Sequence, residues 1–275
     1  MRSYWPAIVR RLDRAGRRGL LVAPGSIWVS AKYRAPCVVY WRDGSWIHRY
    51  RGAKIPHATL GRAAPPAVLT AEARRLFLHA YRPQEGDTVL DIGAGIGAEA
   101  LLFSRLVGNA GRVVAAEAHP RTFARLAKLC EVNDLSNVTA LHVAVSDADG
   151  TLAISDSDLY LQNTLVAGGD GIEVPARRLD GIAAELGLSR VDLLKMNIEG
   201  AERAALQGMG PLLDSTRHVC ISCHDFLADR GGPADLRTKA FVLRFLTERG
   251  FDVTTRDDAP EPWTRDYVYG TNRNA

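Results

Sequence analysis

Hydrophobic positions follow two different rules along this chain. From residue 87 onward, short apolar runs alternate with stretches of helical period. DTVLDIG (87–93), RVVAAEA (112–118), VTALHVAVS (138–146), VDLLKMN (191–197) and HVCISCH (218–224) read as strands. VDLLKMN is apolar on both faces, as a buried parallel strand should be. Residues 98–107, 120–133, 180–186, 201–213 and 237–249 carry helical spacing between them. TLAIS and IEVPARRLD read as short edge strands around a polar loop at 155–170, and FDVTTR with DYVYG closes the chain as a hairpin. Strand–helix alternation of this kind predicts an α/β fold with a mainly parallel, doubly wound sheet.

Before residue 87 the pattern differs. Trp5, Ile8, Val9 and Leu12 stand at helical spacing among arginines, predicting a short basic amphipathic helix over 2–18. Residues 20–50 are rich in Val, Ile, Trp and Tyr, with turn signals at Pro24-Gly25 and Asp43-Gly44. They predict two or three antiparallel strands. Residues 51–66 read as a linker, followed by a helix capped by Thr70 and running to about Tyr81. The expected division is a basic helix-plus-β cap over 1–66 and a ligand-binding domain over 67–275.

Charge sharpens that division. The chain is +4 over 275 residues, but residues 1–62 hold 13 Lys/Arg against two acids, Asp13 and Asp43, leaving the remainder at −7. A basic arm can attract an anionic ligand, a nucleic acid or a membrane surface. It can also simply dock on the acidic body, which is the expected use here, because no further basic cluster or nucleic-acid-binding module accompanies it. With 47% hydrophobic and 24% charged residues the chain is globular, and four cysteines do not make a disulfide scaffold. No apolar run approaches the roughly 18 residues of a membrane helix, and the N-terminus lacks the apolar core of a secretory signal, so a cytoplasmic protein is expected.

Three segments carry candidate chemistry. In Val89–Glu99 a strand ends at Asp91, a loop with Gly93, Gly95 and Gly97 follows, and a helix begins. Glycines there let backbone approach a ligand and expose amides at the helix start. The spacing Gly93-x-Gly95-x-x-Ala98 also satisfies the dinucleotide fingerprint, so an NAD-dependent oxidoreductase stays open at this point. Glu117 stands 22 positions after Gly95, at a strand end, where a carboxylate accepts the hydroxyls of a ribose. The third segment is Lys195-Met196-Asn197-Ile198-Glu199-Gly200-Ala201-Glu202.

Together with AVSDADG, these segments resemble the FkbM family of S-adenosylmethionine-dependent methyltransferases, over roughly residues 70–255. That family typically reads Lys-hydrophobic-Asp-hydrophobic-Glu-Gly-x-Glu, and this chain has Asn197 where the aspartate usually stands. The resemblance implies a class I methyltransferase fold: a Rossmann-like, seven-stranded sheet with its last strand antiparallel. It implies S-adenosylmethionine as methyl donor and a hydroxyl on a small molecule, a natural product or sugar, as acceptor. By position, Asp91, Gly93 and Gly95 would line the methionine end and Glu117 would hold the ribose. Ala118 would border the adenine, with Val145 and Ser146 near its edge. Gly97, Glu99 and Asn197 complete the expected cofactor set. A nucleic-acid substrate is not expected, since the Asn/Asp-Pro-Pro-Tyr type of tetrapeptide found in base-amine methyltransferases is replaced by Asn197-Ile198-Glu199-Gly200. A homo-oligomer stays open.

Methyl transfer asks the protein to align donor and acceptor and to remove a proton. His224, followed by Asp225 and expected beside Asn197, is the first candidate base, with Glu199 next. By analogy with catechol O-methyltransferase-like enzymes, Asn197, His224 and Asp225 would be the ligands of a divalent metal. That set is short of the oxygen donors Mg²⁺ prefers, so a metal-free base is the favoured expectation.

Overall fold

In the computed structural model, residues 9, 11–13, 16–61, 64–155, 171–229, 231 and 234–275 are described. Most of the expected helix over 2–18 and almost all of the polar loop over 155–170 lie outside them. The central feature is a seven-stranded sheet. Its strands are β4 (Thr88–Ile92), β5 (Arg112–Glu117), β6 (Val138–His142), β10 (Val191–Met196), β11 (Thr216–Ser222), β12 (Phe251–Thr255) and β13 (Tyr267–Asn272), in the order β12-β13-β11-β10-β4-β5-β6. β13 runs antiparallel to β11 and β12, and the other neighbouring pairs are parallel. The chain lays β4, β5 and β6 outward, then returns to place β10 on the other side of β4. Ligands bind outside the carboxyl ends of the strands at such a switch point. All six residues of β10 are buried, which explains its unbroken apolar character.

Helices cover both faces of the sheet: α2 (Pro66–Leu76), α3 (Ala98–Val107), α4 (Pro120–Val132), α5 (Leu179–Glu185), α6 (Glu202–Gln207) and α8 (Lys239–Glu248), with the short α7 (Asp225–Asp229) after β11. A second, three-stranded sheet flanks the end of β6. It comprises β7 (Ala144–Val145), β8 (Gly150–Ile154) and β9 (Ile172–Arg177). The expected strand 138–146 therefore breaks at Val143, where the chain leaves one sheet for the other. The expected helix 201–213 likewise divides into α6 and a 3₁₀ turn at Gly210–Leu213.

The N-terminal region departs most from expectation. Residues 22–33, read as strand, form a helix, α1 (Val22–Tyr33). Its Val, Ile and Trp content favours strand, but Leu21, Gly25 and Val29 are buried at four-residue spacing, and that period decides. Pro24 sits in the first turn, where no intrahelical N–H is lost. The β structure begins later: β1 (Val38–Arg42), β2 (Ser45–Tyr50) and β3 (Ala53–His57) make an antiparallel meander. Asp43-Gly44 is its first turn, as expected. β3 lies in the segment read as a linker. Pro56 disguised it, yet β3 is an edge strand, where proline is tolerated. Thr70 lies inside α2, because Pro66 starts that helix one turn earlier.

This region shares a hydrophobic cluster with the rest of the chain. Leu21, Val29, Trp46, Ile55 and Leu60 pack with Ile96 of the glycine loop, Leu101 of α3 and Leu129 of α4. Asn133 accepts a hydrogen bond from the Lys54 amide at 2.9 Å and donates to the Lys54 carbonyl at 2.7 Å. Lys128 reaches back to Asp43 at 2.8 Å.

Candidate functional site

A cavity of about 370 Å³ opens at the carboxyl ends of β4, β5 and β10, large enough for a small-molecule ligand. The glycine loop forms one wall. Gly93 and Ala94 donate to the Ala116 carbonyl at 2.9 and 3.0 Å, and the Asn197 amide donates to the Ile92 carbonyl at 2.9 Å. Those bonds extend the sheet one residue beyond its strands and draw three chain segments together. Gly93 has φ +73°, and a Cβ there would meet the Asn197 carbonyl at 2.0 Å. Only glycine fits.

Glu117 ends β5 and lines the cavity. Its Oε2 accepts from the Gly95 amide and its Oε1 from the His119 amide, both at 2.9 Å. Burial pushes the carboxyl up to about 7, against the pull of those two amides and of Lys195. A buried carboxylate held only by backbone amides still has lone pairs for a diol. Ala118 and Val145 line the same end.

Beneath the loop, Lys195 pairs with Asp91, its cross-strand neighbour in register, at 2.8 Å, and donates to the Gly93 carbonyl at 2.8 Å. Both side chains are almost fully buried. Asp91 thus lies under the cavity instead of lining it, and acts on the loop through Lys195. Glu99, on the first turn of α3, does line the cavity, and burial pushes its carboxyl up. Gly97 and Ser146 do not line it. Gly97 precedes α3 with φ +89°, where a Cβ would press on Leu126 at 2.7 Å. Ser146 is buried, its amide donating to the Arg177 carbonyl.

The opposite rim follows β10. Asn197 lines the cavity, and its buried Oδ1 has no hydrogen-bond partner among the described residues. Glu199 lines it too, in a left-handed backbone conformation with φ +53°, which a non-glycine residue adopts at a cost and often at functional sites.

His224 is elsewhere. It is 4% exposed and absent from the cavity lining, with Glu199 Oε1 at 3.3 Å from Nε2 and Glu202 Oε1 at 3.0 Å from Nδ1. Burial alone would lower its pKa, but the two carboxylates outweigh burial and hold it at about 10. Both ring nitrogens thus face carboxylates and the ring lies outside the cavity, so the structure does not bring His224 to the place expected of a base. Asp225 is also committed: its Oδ1 accepts from the Thr238 and Lys239 amides at 2.8 and 3.0 Å, at the start of α8. Asn197, His224 and Asp225 therefore do not converge as the conditional metal ligands, and no set of three His, Cys, Asp or Glu among the described residues is arranged to hold a metal ion.

Sequence reasoning missed several lining residues. His57 comes from β3, Glu72 from α2 and Tyr267 from β13. None belongs to a motif, and only the fold brings them to the rim. His119, directly after the end of β5, is 3% exposed and lines the cavity as well.

The strand order, the antiparallel β13 and the glycine-lined cavity at the switch point define a class I, S-adenosylmethionine-dependent methyltransferase. The match to known proteins is more specific: residues 91–253 fit the family described as "Methyltransferase FkbM domain", and this chain belongs to it. It is 30% identical over 141 residues to the AMB antimetabolite synthetase AmbE of Pseudomonas aeruginosa, covering 50% of this chain and only 6% of that protein. It is 28% identical over 241 residues to the 31-O-demethyl-FK506 methyltransferase FkbM of Streptomyces tacrolimicus, covering 75% and 88%. The crystal structure of a methyltransferase FkbM from Methylobacillus flagellatus superposes with a TM-score of 0.50 at 16% identity, over 75% of this chain and 50% of that one. No helix among the described residues is long and apolar enough to cross a membrane.

The residues present fit the donor. Glu117 offers a buried carboxylate toward the cavity, Gly93 leaves room that a Cβ would fill, and Asn197 brings an unpartnered buried oxygen.

Proposed function

We propose that this protein transfers a methyl group from S-adenosylmethionine to a hydroxyl of a small molecule, such as a natural product or sugar. Bound S-adenosylmethionine supplies an electrophilic methyl on a sulfonium sulfur. Glu117 accepts the ribose hydroxyls, and Ala118 and Val145 wall the adenine side. The glycine loop, with Gly93 and Gly95, and Glu99 border the methionine end. Asn197 faces the ligand with its free oxygen. Glu199 takes the hydroxyl proton as the acceptor oxygen forms its new bond.

The observation carrying this reading is the position of Glu199. It is a carboxylate on the cavity wall just past β10, in a left-handed backbone conformation, with the His224 ring at 3.3 Å. The 31-O-methyl chemistry in the name of the Streptomyces relative supports oxygen as the accepting atom. We also take residues 1–66 as a cap on the acceptor side, since His57 and Ala64 of that region line the cavity.

Two measurements test the proposal. Calorimetric titration should show binding of S-adenosylhomocysteine; binding of NAD in its place would end the methyltransferase reading. Incubation with S-adenosylmethionine and a panel of alcohols, amines and thiols, followed by mass spectrometry, should show the 14-dalton gain on alcohols. A gain confined to amines or thiols would overturn O-methylation.

A further inference from the structure

Behind the cavity a line of buried side chains runs away from Glu199 without touching it again. Glu199 Oε1 faces His224 Nε2 at 3.3 Å, and His224 Nδ1 faces Glu202 Oε1 at 3.0 Å. Glu202 Oε2 then accepts from the Thr238 hydroxyl at 2.8 Å, and its Oε1 also accepts from the Gly200 amide at 3.1 Å. Glu202 and Thr238 are both 0% exposed. The members come from four places: the loop after β10, the first turn of α6, the residues after β11 and the residue that caps α8. Asp225 takes no part in the line, being spent on the Thr238 and Lys239 amides.

Burying a carboxylate and a histidine is costly unless each is paired. A histidine serving only to satisfy Glu202 would need one contact. This one has two, and its second lands on the single member of the line that reaches the cavity. Glu199 is also the member with the left-handed, strained backbone, a feature that gathers at functional sites.

We infer that His224 is a positioning residue: held between Glu202 and Glu199, it aims the Glu199 carboxylate at the acceptor hydroxyl, with Glu202 and Thr238 as its buried anchor. This inference rests on the base role of Glu199 proposed above. His224 itself neither reaches the substrate nor exchanges its proton during the reaction. Its neighbours fix what it contributes, which is orientation of Glu199, and donor binding on the far rim is left alone.

A double-mutant cycle on the full chain tests this. His224→Gln keeps one amide donor but cannot serve both carboxylates. Its kcat should fall between about tenfold and a hundredfold, the scale of a misaimed catalytic group, while S-adenosylhomocysteine affinity and acceptor KM stay within about threefold. In a Glu199→Gln background the same substitution should cost nothing further, because effects that act through one group do not add. Equal, additive losses in both backgrounds would overturn the inference. So would a loss that appears in KM or in donor affinity alone. Glu199→Gln at the wild-type rate would instead sink the base assignment, so the two failures are distinguishable. Should His224→Gln fail to fold, Thr238→Val pulls on the same line from its far end. It should lower kcat by a few-fold in the wild type and not in Glu199→Gln, and an equal loss in both would count against the inference.

Discussion

The two rims of the cavity each present a carboxylate, and they hold it in opposite ways. Glu117, on the donor rim, is gripped by two backbone amides and surrounded by buried apolar wall; burial lifts it to about 7. Glu199, on the proposed acceptor rim, stands against the side chain of a histidine that is itself braced by a second carboxylate. Amides offer hydrogen bonds without net charge, so the donor rim can receive a ligand's hydroxyls and keep a soft titration near neutrality. A side-chain partner on one carboxylate oxygen favours a fixed direction. The first arrangement suits binding, the second suits aiming a carboxylate in one direction.

That contrast can be broken by experiment. The largest effect should come from Glu199→Gln. Loss of general-base catalysis costs about 10²–10⁴ in rate, so kcat should fall by that order while S-adenosylhomocysteine binds as before. A drop in donor affinity of the same size would erase the distinction between the rims. Gly93→Ala strikes the backbone that builds the donor rim. The left-handed φ and the 2.0 Å approach to the Asn197 carbonyl should cost more than about 3 kcal/mol, lowering Tm by roughly 6 °C or more and abolishing measurable donor binding; an alanine variant with normal melting would show that the loop is looser than its geometry.

Glu117→Ala removes a hydrogen-bonding partner worth about 1.5–3 kcal/mol, so S-adenosylhomocysteine should bind about ten- to a hundredfold more weakly by calorimetry. The mildest effect should be on pH dependence. In the proposed complex, ribose hydroxyls donate to ionised Glu117. With its carboxyl near 7, affinity should rise as pH increases through 7 and level off above it. It should be roughly tenfold weaker at pH 6 than at pH 8. Glu117→Gln should flatten that profile, and a wild-type profile already flat would mean the carboxyl is not raised.

The same contrast explains what was legible beforehand. The donor rim is made of backbone geometry, which a sequence announces through glycines at fixed spacing, so the loop at 93–97 and the strand-end Glu117 could be read directly. The acceptor rim is made of side chains that meet only in three dimensions. Nothing near His224 reveals that Glu202, 22 positions earlier, will bond to it, so it read as a free base beside a possible metal. Apolar period revealed most of the sheet order's ingredients for the same local reason. It failed at α1, where strand-favouring residues carry a helical burial period, and at β3, where Pro56 masks an edge strand. Glu72, His57 and Tyr267 reach the cavity from segments with no signature at all.

Ile96 ties the donor loop to the N-terminal region. Within five residues the loop shows glycine backbone to the cavity and buries Ile96 among Leu21, Trp46 and Ile55. One short stretch of backbone is thus shared by a ligand site and a hydrophobic cluster. Thermodynamic reciprocity follows: any free energy the cluster contributes to shaping the loop is returned to the cluster, in equal measure, when a ligand shapes it instead. Filling the donor site should then slow amide exchange in α1, on the far side of that shared cluster.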